Sequence, residues 1–347
     1  MSMRLPQVSI VLPVRNAVST LDECLQSIAH QSYDNYEVLV IDDGSSDGSV
    51  ELVTRWAESD ARIKHFKLPP LGLVTALNRG LSEAQTSLIA RMDADDVMYP
   101  QRLARQFEFL MEHPDIDLVA TQVRLFPEEQ VKAGYAEYVR WQNSCLSSEK
   151  IYEEIFVESP FAHPSVMFRR EVVCTLGGYR EGHFPEDYDL WFRLMQSGIR
   201  MAKLAEVLLD WRESEGRYSR VDPRCSREAF DHLRASYLAS HLRVRLIADG
   251  KMMQRPLVYW GAGRKTRRRP NLLLKKGFLP VAWIDIDDRK IGNLLQGVPV
   301  VSPDWLSDQK EKPFVLSYVA NHGAREDIGQ CLHAMGYHRG DDYLMVG

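Results

Sequence analysis

The chain has 347 residues, 45% of them hydrophobic, and a formal net charge of −5. This length predicts two domains of ordinary size with buried cores, and the slightly acidic balance excludes a general attraction to nucleic acid or anionic lipid. The five cysteines are scattered and form no CxxC pair, which argues against a disulfide framework or a zinc site and favours a reducing compartment.

Strand and helix patterns alternate through the first third of the chain. The predicted strands are the apolar, β-branched runs 8–14, 37–41, 62–66, 87–92 and 117–121. The predicted helices between them repeat apolar residues at helical spacing and are 19–31, a segment carrying Val50, Val53 and Ala57, 72–84 and 100–113. Thr20 and Glu23 have the spacing of a capping box. The alternation predicts an α/β fold with a mostly parallel central sheet.

The second half is predicted to complete this domain and to add a smaller one. A returning strand at 163–168 and a helix at 186–198 belong to the first domain, 1–225. Residues 226–252 are interpreted as a helical connector. The strand–turn–helix pattern then starts afresh, so we expect a smaller Rossmann-like α/β domain at 253–347.

Polar turns follow three of the predicted strands, at 13–16 (PVRN), 42–48 (DDGSSDG) and 93–96 (DADD). Ligands of parallel sheets bind beyond the carboxyl ends of the strands, so we expect these turns to converge on one site. Asp95, together with Asp93 and Asp96 on either side, offers the oxygen ligands that Mg²⁺ or Mn²⁺ prefers. For an isolated motif of this kind, a solvated acidic turn is the competing interpretation.

Glu186 and Asp187 stand at the start of the predicted helix 186–198. The helix macrodipole stabilises ionised carboxylates there, and a carboxylate so placed can serve as a general base. Without further context, the two residues would serve equally well as capping acids at the N-terminus of the helix.

The order of these motifs resembles that of the family-2 glycosyltransferases of GT-A fold. The matching stretches are VSIVLPVRN, NYEVLVIDDGSSDGS, IARMDADD, HPSVMFRR and EDYDLWFRL, and the resemblance covers about residues 5–220. It implies inverting transfer of a sugar from a nucleoside diphosphate sugar to an acceptor hydroxyl, with Mn²⁺ or Mg²⁺ as cofactor. By this resemblance Asp42 contacts the base, Asp93 contacts the ribose or the metal through phosphate, Asp95 binds the metal, and Asp187 is the catalytic base.

The resemblance also assigns supporting residues. The other donor-site candidates are Pro13, Arg15, Asn16, Asp43 and Arg91. The candidate contacts to the acceptor or the diphosphate are His163, Glu186, Arg217 and Arg220. The competing interpretations are a solvated loop for Arg15 and Asn16, a core histidine for His163, and a structural ion pair for Arg91. Pro70 and Leu71 occupy a place where the family commonly has a polar residue.

The implied partners are a UDP-sugar donor by default and an acceptor glycan, glycolipid or protein in the synthesis of bacterial cell-surface polysaccharide or glycolipid. No nucleic-acid partner is expected. Because no apolar run approaches the length of a membrane span, we expect a cytoplasmic protein, with peripheral attachment at the inner face of the membrane left open.

The C-terminal domain suggests a rival interpretation. Residues 261–263 (GAG) follow the apolar run LVYW, but Thr266 stands where a complete GxGxxG turn has its third glycine. Asp285 lies where such a fold places an acid for the ribose. A nucleotide-binding oxidoreductase, or a regulatory module centred on this domain, is therefore the alternative function.

Overall fold

The computed structural model describes residues 6–214, 220, 222–246, 255–264, 266–321 and 323–347. The chain divides into two compact units, Met1–Ile151 with Ser159–Pro223 and Tyr152–Glu158 with Arg224–Gly347. Within the described ranges, no helix combines the length and apolar content needed to cross a bilayer.

The first unit contains a single eight-stranded sheet. Its strands are β1 Val8–Val14, β2 Tyr36–Asp43, β3 Ile63–Leu68, β4 Leu88–Arg91, β5 Val97–Met98, β6 Leu118–Phe126, β7 Met167–Arg169 and β8 Met201–Arg212. They are ordered β3-β2-β1-β4-β7-β6-β8-β5. The pairs β3–β2, β2–β1, β1–β4 and β6–β8 are parallel, whereas β7 and β5 run antiparallel to their neighbours. The predicted α/β fold with a mostly parallel sheet is confirmed.

Eight helices accompany this sheet in the described part of residues 6–214. They are α1 Leu21–Ala29, α2 Ser49–Ser59, α3 Leu73–Glu83, α4 Arg102–Glu112, α5 Ala133–Ser144, α6 Ser148–Glu154, α7 Arg170–Thr175 and α8 Glu186–Gln196. The apolar spacing explains their orientation: α1, for example, buries Leu21, Cys24, Leu25 and Ile28. Every residue of β1 and β2 is buried, as expected for parallel strands covered on both faces.

Two local predictions are wrong. Residues 163–168 are not one strand, because His163–Ser165 form a 3-10 helix and only Met167–Arg169 pair in the sheet. Pro164 has no backbone N–H to donate to a ladder, which accounts for the short turn. Thr20 forms no side-chain cap on α1 and instead donates its hydroxyl to the carbonyl of Ala94, at 3.1 Å.

The second unit contains a smaller, six-stranded sheet. Its strands are β9 Leu257–Trp260, β10 Ala282–Ile284, β11 Leu294–Leu295, β12 Val298–Val301, β13 Phe314–Ser317 and β14 Tyr343–Met345, and its helices include α9 Arg227–Leu246, α10 Arg268–Leu274 and α11 Ala324–Ala334. The strand order is β11-β12-β10-β9-β13-β14, and only β11 is antiparallel. The predicted second α/β sheet is therefore present, and α9, which we had interpreted as a connector, lies within this unit.

Helix α3 approaches β1 unusually closely at Gly80. A Cβ added at Gly80 would lie 2.4 Å from Cγ1 of Val11, a fully buried side chain of β1. Interiors at native packing density have no room for such an atom. Gly80 therefore sets the spacing between the helix and the strand that carries the first polar turn.

Gly80→Ala is expected to lower the free energy of unfolding by about 1–3 kcal/mol, because Val11 or the helix must move to admit the methyl group. Gly134→Ala is the matched control, since Gly134 lies in α5 and no atom is found within 4 Å of its added Cβ. That variant should keep or raise stability by about 0.5–1 kcal/mol through helix propensity. Denaturant unfolding measures both; equal effects would contradict the close approach.

Candidate active site

The turns after β1 and β2 meet at one edge of the sheet and are joined by hydrogen bonds. The amide of Asn16 donates to Oγ of Ser45 at 2.9 Å, and the amide of Ser46 donates to Oδ1 of Asn16 at 2.8 Å. Asn16 has a φ of +50°, in the left-handed region that asparagine tolerates better than most residues. The convergence predicted for these turns is thus observed, and Asn16 has a structural part in it.

Asp43 ties a third loop to this edge. Its carboxylate accepts the amides of Leu71 at 2.7 Å and Gly72 at 2.9 Å, and it forms a 3.0 Å ion pair with Arg15. Because these donors occupy the carboxylate, Asp43 holds the start of α3 and orients the half-exposed Arg15. Leu71, where a polar side chain was expected, contributes its backbone amide. Asp42, also buried, accepts the Ser45 amide at the longer distance of 3.3 Å.

Three aspartates follow β4 and form a possible cation site. One carboxylate oxygen from each of Asp93, Asp95 and Asp96 lies within 4.8 Å of the others. Asp96 is buried and accepts the amide of Arg212 at 2.7 Å, whereas Asp93 and Asp95 are partly exposed. Three carboxylates gathered in this way repel one another and offer the hard oxygen ligands that Mg²⁺ and Mn²⁺ take.

The backbone of this acidic turn is held from the protein side. Nε of Arg212 donates to the carbonyl of Asp95 at 2.6 Å, and Sγ of Cys24 donates to the carbonyl of Asp93 at 3.2 Å. Burial, reinforced by the three aspartates, raises the pKa of the Cys24 thiol well above its ordinary value. Cys24 therefore supports the turn as a neutral thiol.

Arg91, the last residue of β4, is buried and pairs with Asp93. Burial alone would lower the pKa of Arg91, but Asp93 outweighs it and the pKa is raised. Nε of Arg91 is buried and has no hydrogen-bond partner in the described part of the chain. The predicted ion pair is thus present, and the same guanidinium acts electrostatically on Asp187, His163 and Tyr179.

Asp187 lies in the first turn of α8, half-buried, with its Oδ1 accepting the amide of Tyr188 at 2.7 Å. Loss of hydration raises the pKa of Asp187 to about 6, although the Tyr188 amide and the charge of Arg91 oppose the shift. A carboxylate with such a pKa is ionised at neutral pH and holds a proton more readily than an ordinary aspartate. It therefore suits general-base chemistry.

His163 faces the same region but as a neutral group. Burial, with the charge of Arg91, lowers the pKa of His163 well below its ordinary value. Its Nε2 lies 2.9 Å from the hydroxyl of Tyr179, and its Nδ1 lies 4.0 Å from a carboxylate oxygen of Glu186. A neutral imidazole can share a hydrogen bond with Tyr179 but adds no positive charge to the site.

Sequence reasoning missed Tyr179. Asn78 in α3 holds its backbone from both sides, accepting the Tyr179 amide and donating to the Tyr179 carbonyl, each at 2.9 Å. The preceding Gly178 has a φ of +67°, and a Cβ there would lie 2.5 Å from Oδ1 of Asn78. The glycine pair before Tyr179 was a signal that a tight turn positions this side chain.

Three other predicted site residues are Pro13, Arg217 and Arg220. Pro13 is a buried residue of β1 in register with Ile41 of β2. It therefore helps to position the backbone where β1 ends. Arg220 is exposed at the residue level and pairs with the buried Glu213. Arg217 lies outside the described residues.

This fold and this edge of polar turns define a glycosyltransferase of the GT-A type. Residues 9–177 match the family model described as glycosyl transferase family 2. The O-antigen biosynthesis glycosyltransferase WbnJ of Escherichia coli is 32% identical over 216 residues, which cover 61% of this chain and 82% of WbnJ. The chain belongs to glycosyl transferase family 2.

Other relatives and solved structures agree. The amylovoran biosynthesis glycosyltransferase AmsE of Erwinia amylovora is 33% identical over 190 residues, which cover 54% of this chain and 69% of AmsE. A structure of TarS 1–349 from S. aureus with UDP-GlcNAc has a TM-score of 0.52 at 17% identity, covering 69% of this chain and 74% of that one. The mannosyltransferase PcManGT of Pyrobaculum calidifontis, with GDP-Man and Mn²⁺, has a TM-score of 0.51 at 22% identity, with coverages of 72% and 66%. At these identities the two structures show the fold.

The glycine turn of the second unit does not support the rival interpretation. A Cβ added at Gly261 would lie 2.7 Å from Cγ2 of Thr266, so close packing of the chain's own side chain accounts for this glycine. The carboxylate of Asp285 accepts the amide of Ala262 at 3.1 Å and pairs with Lys290 at 2.9 Å. Both features explain the motif by packing within the unit.

Tyr179→Phe should lower the free energy of unfolding by about 1–2 kcal/mol, because it removes the partner of a buried imidazole nitrogen. Tyr33→Phe is the matched control: its hydroxyl bonds Gln7 at 2.7 Å at the surface, and its loss should cost at most about 0.5 kcal/mol. Denaturant unfolding compares the two. Equal costs would show that the His163–Tyr179 contact adds nothing to stability.

Proposed function

We propose that the first unit is a metal-dependent, inverting glycosyltransferase that moves a sugar from a nucleoside diphosphate sugar to an acceptor hydroxyl. The observation that carries this proposal is the meeting of two kinds of carboxylate around Arg91. One is the cluster of Asp93, Asp95 and Asp96 after β4, and the other is Asp187 with its raised pKa. The first group can hold the cation that a leaving diphosphate needs. The second can accept the proton of an attacking hydroxyl.

The donor site is formed by the turns after β1, β2 and β4. Asp42 accepts an N–H of the base, and Asp43 keeps Arg15 and the start of α3 in place beside it. Asn16 and Pro13 shape the turn backbone. The solved structures of similar fold contain UDP-GlcNAc in one case and GDP-Man in another, which supports a nucleoside diphosphate sugar here. UDP-sugars are our first candidates.

The metal site fits a divalent cation because its ligands are carboxylates and its backbone is held by Cys24 and Arg212. Asp95 is the proposed ligand, with Asp93 beside it to contact the ribose or reach the metal through phosphate. A bound Mn²⁺ or Mg²⁺ supplies neutralisation of the charge that develops on the departing diphosphate. Arg91 holds Asp93 on the protein side, so that carboxylate is oriented before any ligand arrives.

Asp187 is the proposed base. Its ionised carboxylate takes the proton of the acceptor hydroxyl while that oxygen forms a bond to the anomeric carbon. The bond from the anomeric carbon to the diphosphate oxygen breaks on the opposite face, which inverts the configuration. His163 and Glu186 line the acceptor side, and Arg220 and Arg217 belong to a segment that we propose contacts the diphosphate or the acceptor.

The biological setting follows from the relatives. Proteins named for O-antigen and amylovoran biosynthesis are among them, so we propose a role in bacterial cell-surface polysaccharide or glycolipid synthesis. The acceptor is then a glycan, a glycolipid or a protein. We further propose that residues 1–225 act as the catalytic domain and 253–347 as a separate functional domain, in a cytoplasmic protein. Helix α9 of the predicted connector, 226–252, belongs to the second unit.

Asp95→Ala should abolish metal-dependent nucleotide binding. For the wild-type protein, a nucleoside diphosphate with MnCl₂ should raise unfolding stability by about 2.7 kcal/mol at a ligand concentration of 100 times Kd. The variant should show none of this increase, because the cation loses its principal ligand. Thermal shift with UDP and GDP, each with and without Mn²⁺, measures it.

The control for this test is Asp115→Ala, which removes an exposed carboxylate that pairs with Arg200 at the surface. It should retain the full metal-dependent shift. Nucleotide stabilisation that is independent of Mn²⁺, or that survives in Asp95→Ala, would remove the metal from the proposal.

Asp187→Asn should leave nucleotide binding near the wild-type value and lower the rate of transfer by about 10²–10⁴-fold, because the amide cannot accept the proton. In the wild-type protein, kcat/KM should fall as the pH drops through about 6, since protonation of Asp187 removes the base. Asp34→Asn, at an exposed loop, is the control. Turnover of Asp187→Asn at the wild-type rate would exclude Asp187 from this role.

A further inference from the structure

In the second unit, the C-terminal end of α9 and the loop after α10 both expose aliphatic side chains. Val244 is 83% exposed, Leu279 64% and Val281 47%. The guanidinium carbon of Arg243 lies 5.5 Å from the ring centroid of Phe278, which connects the end of α9 to this loop. Single exposed aliphatic residues are ordinary, but three on two short segments that are in contact require an explanation.

The same surface is cationic. Arg243, Lys275 and Lys276 are exposed there. Neither residues 232–246 nor residues 270–284 contain a single aspartate or glutamate, in a chain whose net charge is −5. The positive charge is therefore local and is not an average property of the protein.

One edge of this surface is marked by Arg245. Its guanidinium donates to the carbonyl of Gly340 and pairs with Asp341 at 3.2 Å. That charge is already balanced within the unit. The surface proper consists of Arg243, Val244, Lys275, Lys276 and the segment 279–281.

We propose that this surface docks the second unit onto an anionic lipid bilayer. Aliphatic side chains enter the boundary between headgroups and acyl chains, while lysine and arginine contact anionic headgroups. The composition favours lipid over a protein partner, because protein interfaces are enriched in aromatic residues and depleted in lysine. The nearby aromatic ring, Phe278, is buried. Exposed aliphatic groups would gain nothing from a nucleic-acid backbone.

This docking does not depend on the transferase chemistry proposed for the first unit. It requires only that the second unit be folded, so it holds or fails whatever sugar the protein transfers. Its consequence is that the protein works at a membrane surface without a membrane-spanning helix in its described residues. Lipid-linked acceptors would be found at that surface.

The test is sedimentation of the full-length protein with vesicles. Vesicles of equal parts phosphatidylglycerol and phosphatidylcholine should bind it, and vesicles of phosphatidylcholine alone should bind it at least about tenfold less. Raising the salt concentration should weaken binding. The double variant Lys275→Glu/Lys276→Glu should lower the partition coefficient by at least about tenfold, and Leu279→Ser should lower it by about threefold or more through the lost insertion.

The matched control is Arg55→Glu/Lys132→Glu, which makes the same change in net charge at exposed positions of the first unit. It should bind vesicles as the wild-type protein does. Unchanged melting curves will confirm that the variants fold. If the wild-type protein shows no preference for anionic vesicles, or if the control and Lys275→Glu/Lys276→Glu lose binding equally, the surface is not a lipid-docking site.

Discussion

The candidate site depends on one buried positive charge at the end of a strand. Arg91 is the last residue of β4, its side chain is almost completely removed from solvent, and it pairs with Asp93. Burying a guanidinium is costly unless a carboxylate or other hydrogen-bond acceptors compensate for the lost hydration. The acids around it in turn need its charge, since Asp93 raises the pKa of Asp187 while Arg91 lowers it. The guanidinium of Arg91 and the carboxylates around it therefore stabilise one another in their buried positions.

Two further arginines, Arg102 and Arg212, bind the segment that carries Arg91 and the aspartates. Arg102 is fully buried, donates to the carbonyl of Arg91 at 2.8 Å, and has its pKa lowered to about 9 by burial in spite of Asp96. Arg212 donates Nε to the carbonyl of Asp95 and its backbone amide to the carboxylate of Asp96. The charge of the aspartates is thus compensated on the protein side by guanidinium groups. On the opposite, partly exposed side, a divalent cation is the natural counter-charge.

Much of this site could be predicted from short stretches of sequence. The apolar runs located β1, β2 and β4, and the polar turns that follow them placed Asn16, Asp43 and Asp93 at one sheet edge. The residues that escaped prediction make contacts between distant parts of the chain. Arg212 reaches a turn more than 100 residues earlier in sequence, and no local pattern reports such a contact. Thr20 shows the same limit, because a capping motif was formally present while its hydroxyl found a partner in another turn.

Helix α3 shows how the fold connects the two sides of the site. Its first residues are fixed by Asp43, whose carboxylate accepts the amides of Leu71 and Gly72. About two turns further along, Asn78 holds the backbone of Tyr179, whose hydroxyl contacts His163. The close packing of Gly80 on β1 prevents the helix from shifting between these anchors. The proposed nucleotide side and the proposed acceptor side are therefore both anchored to α3, so their separation is set by this helix and not by the loops that carry the side chains.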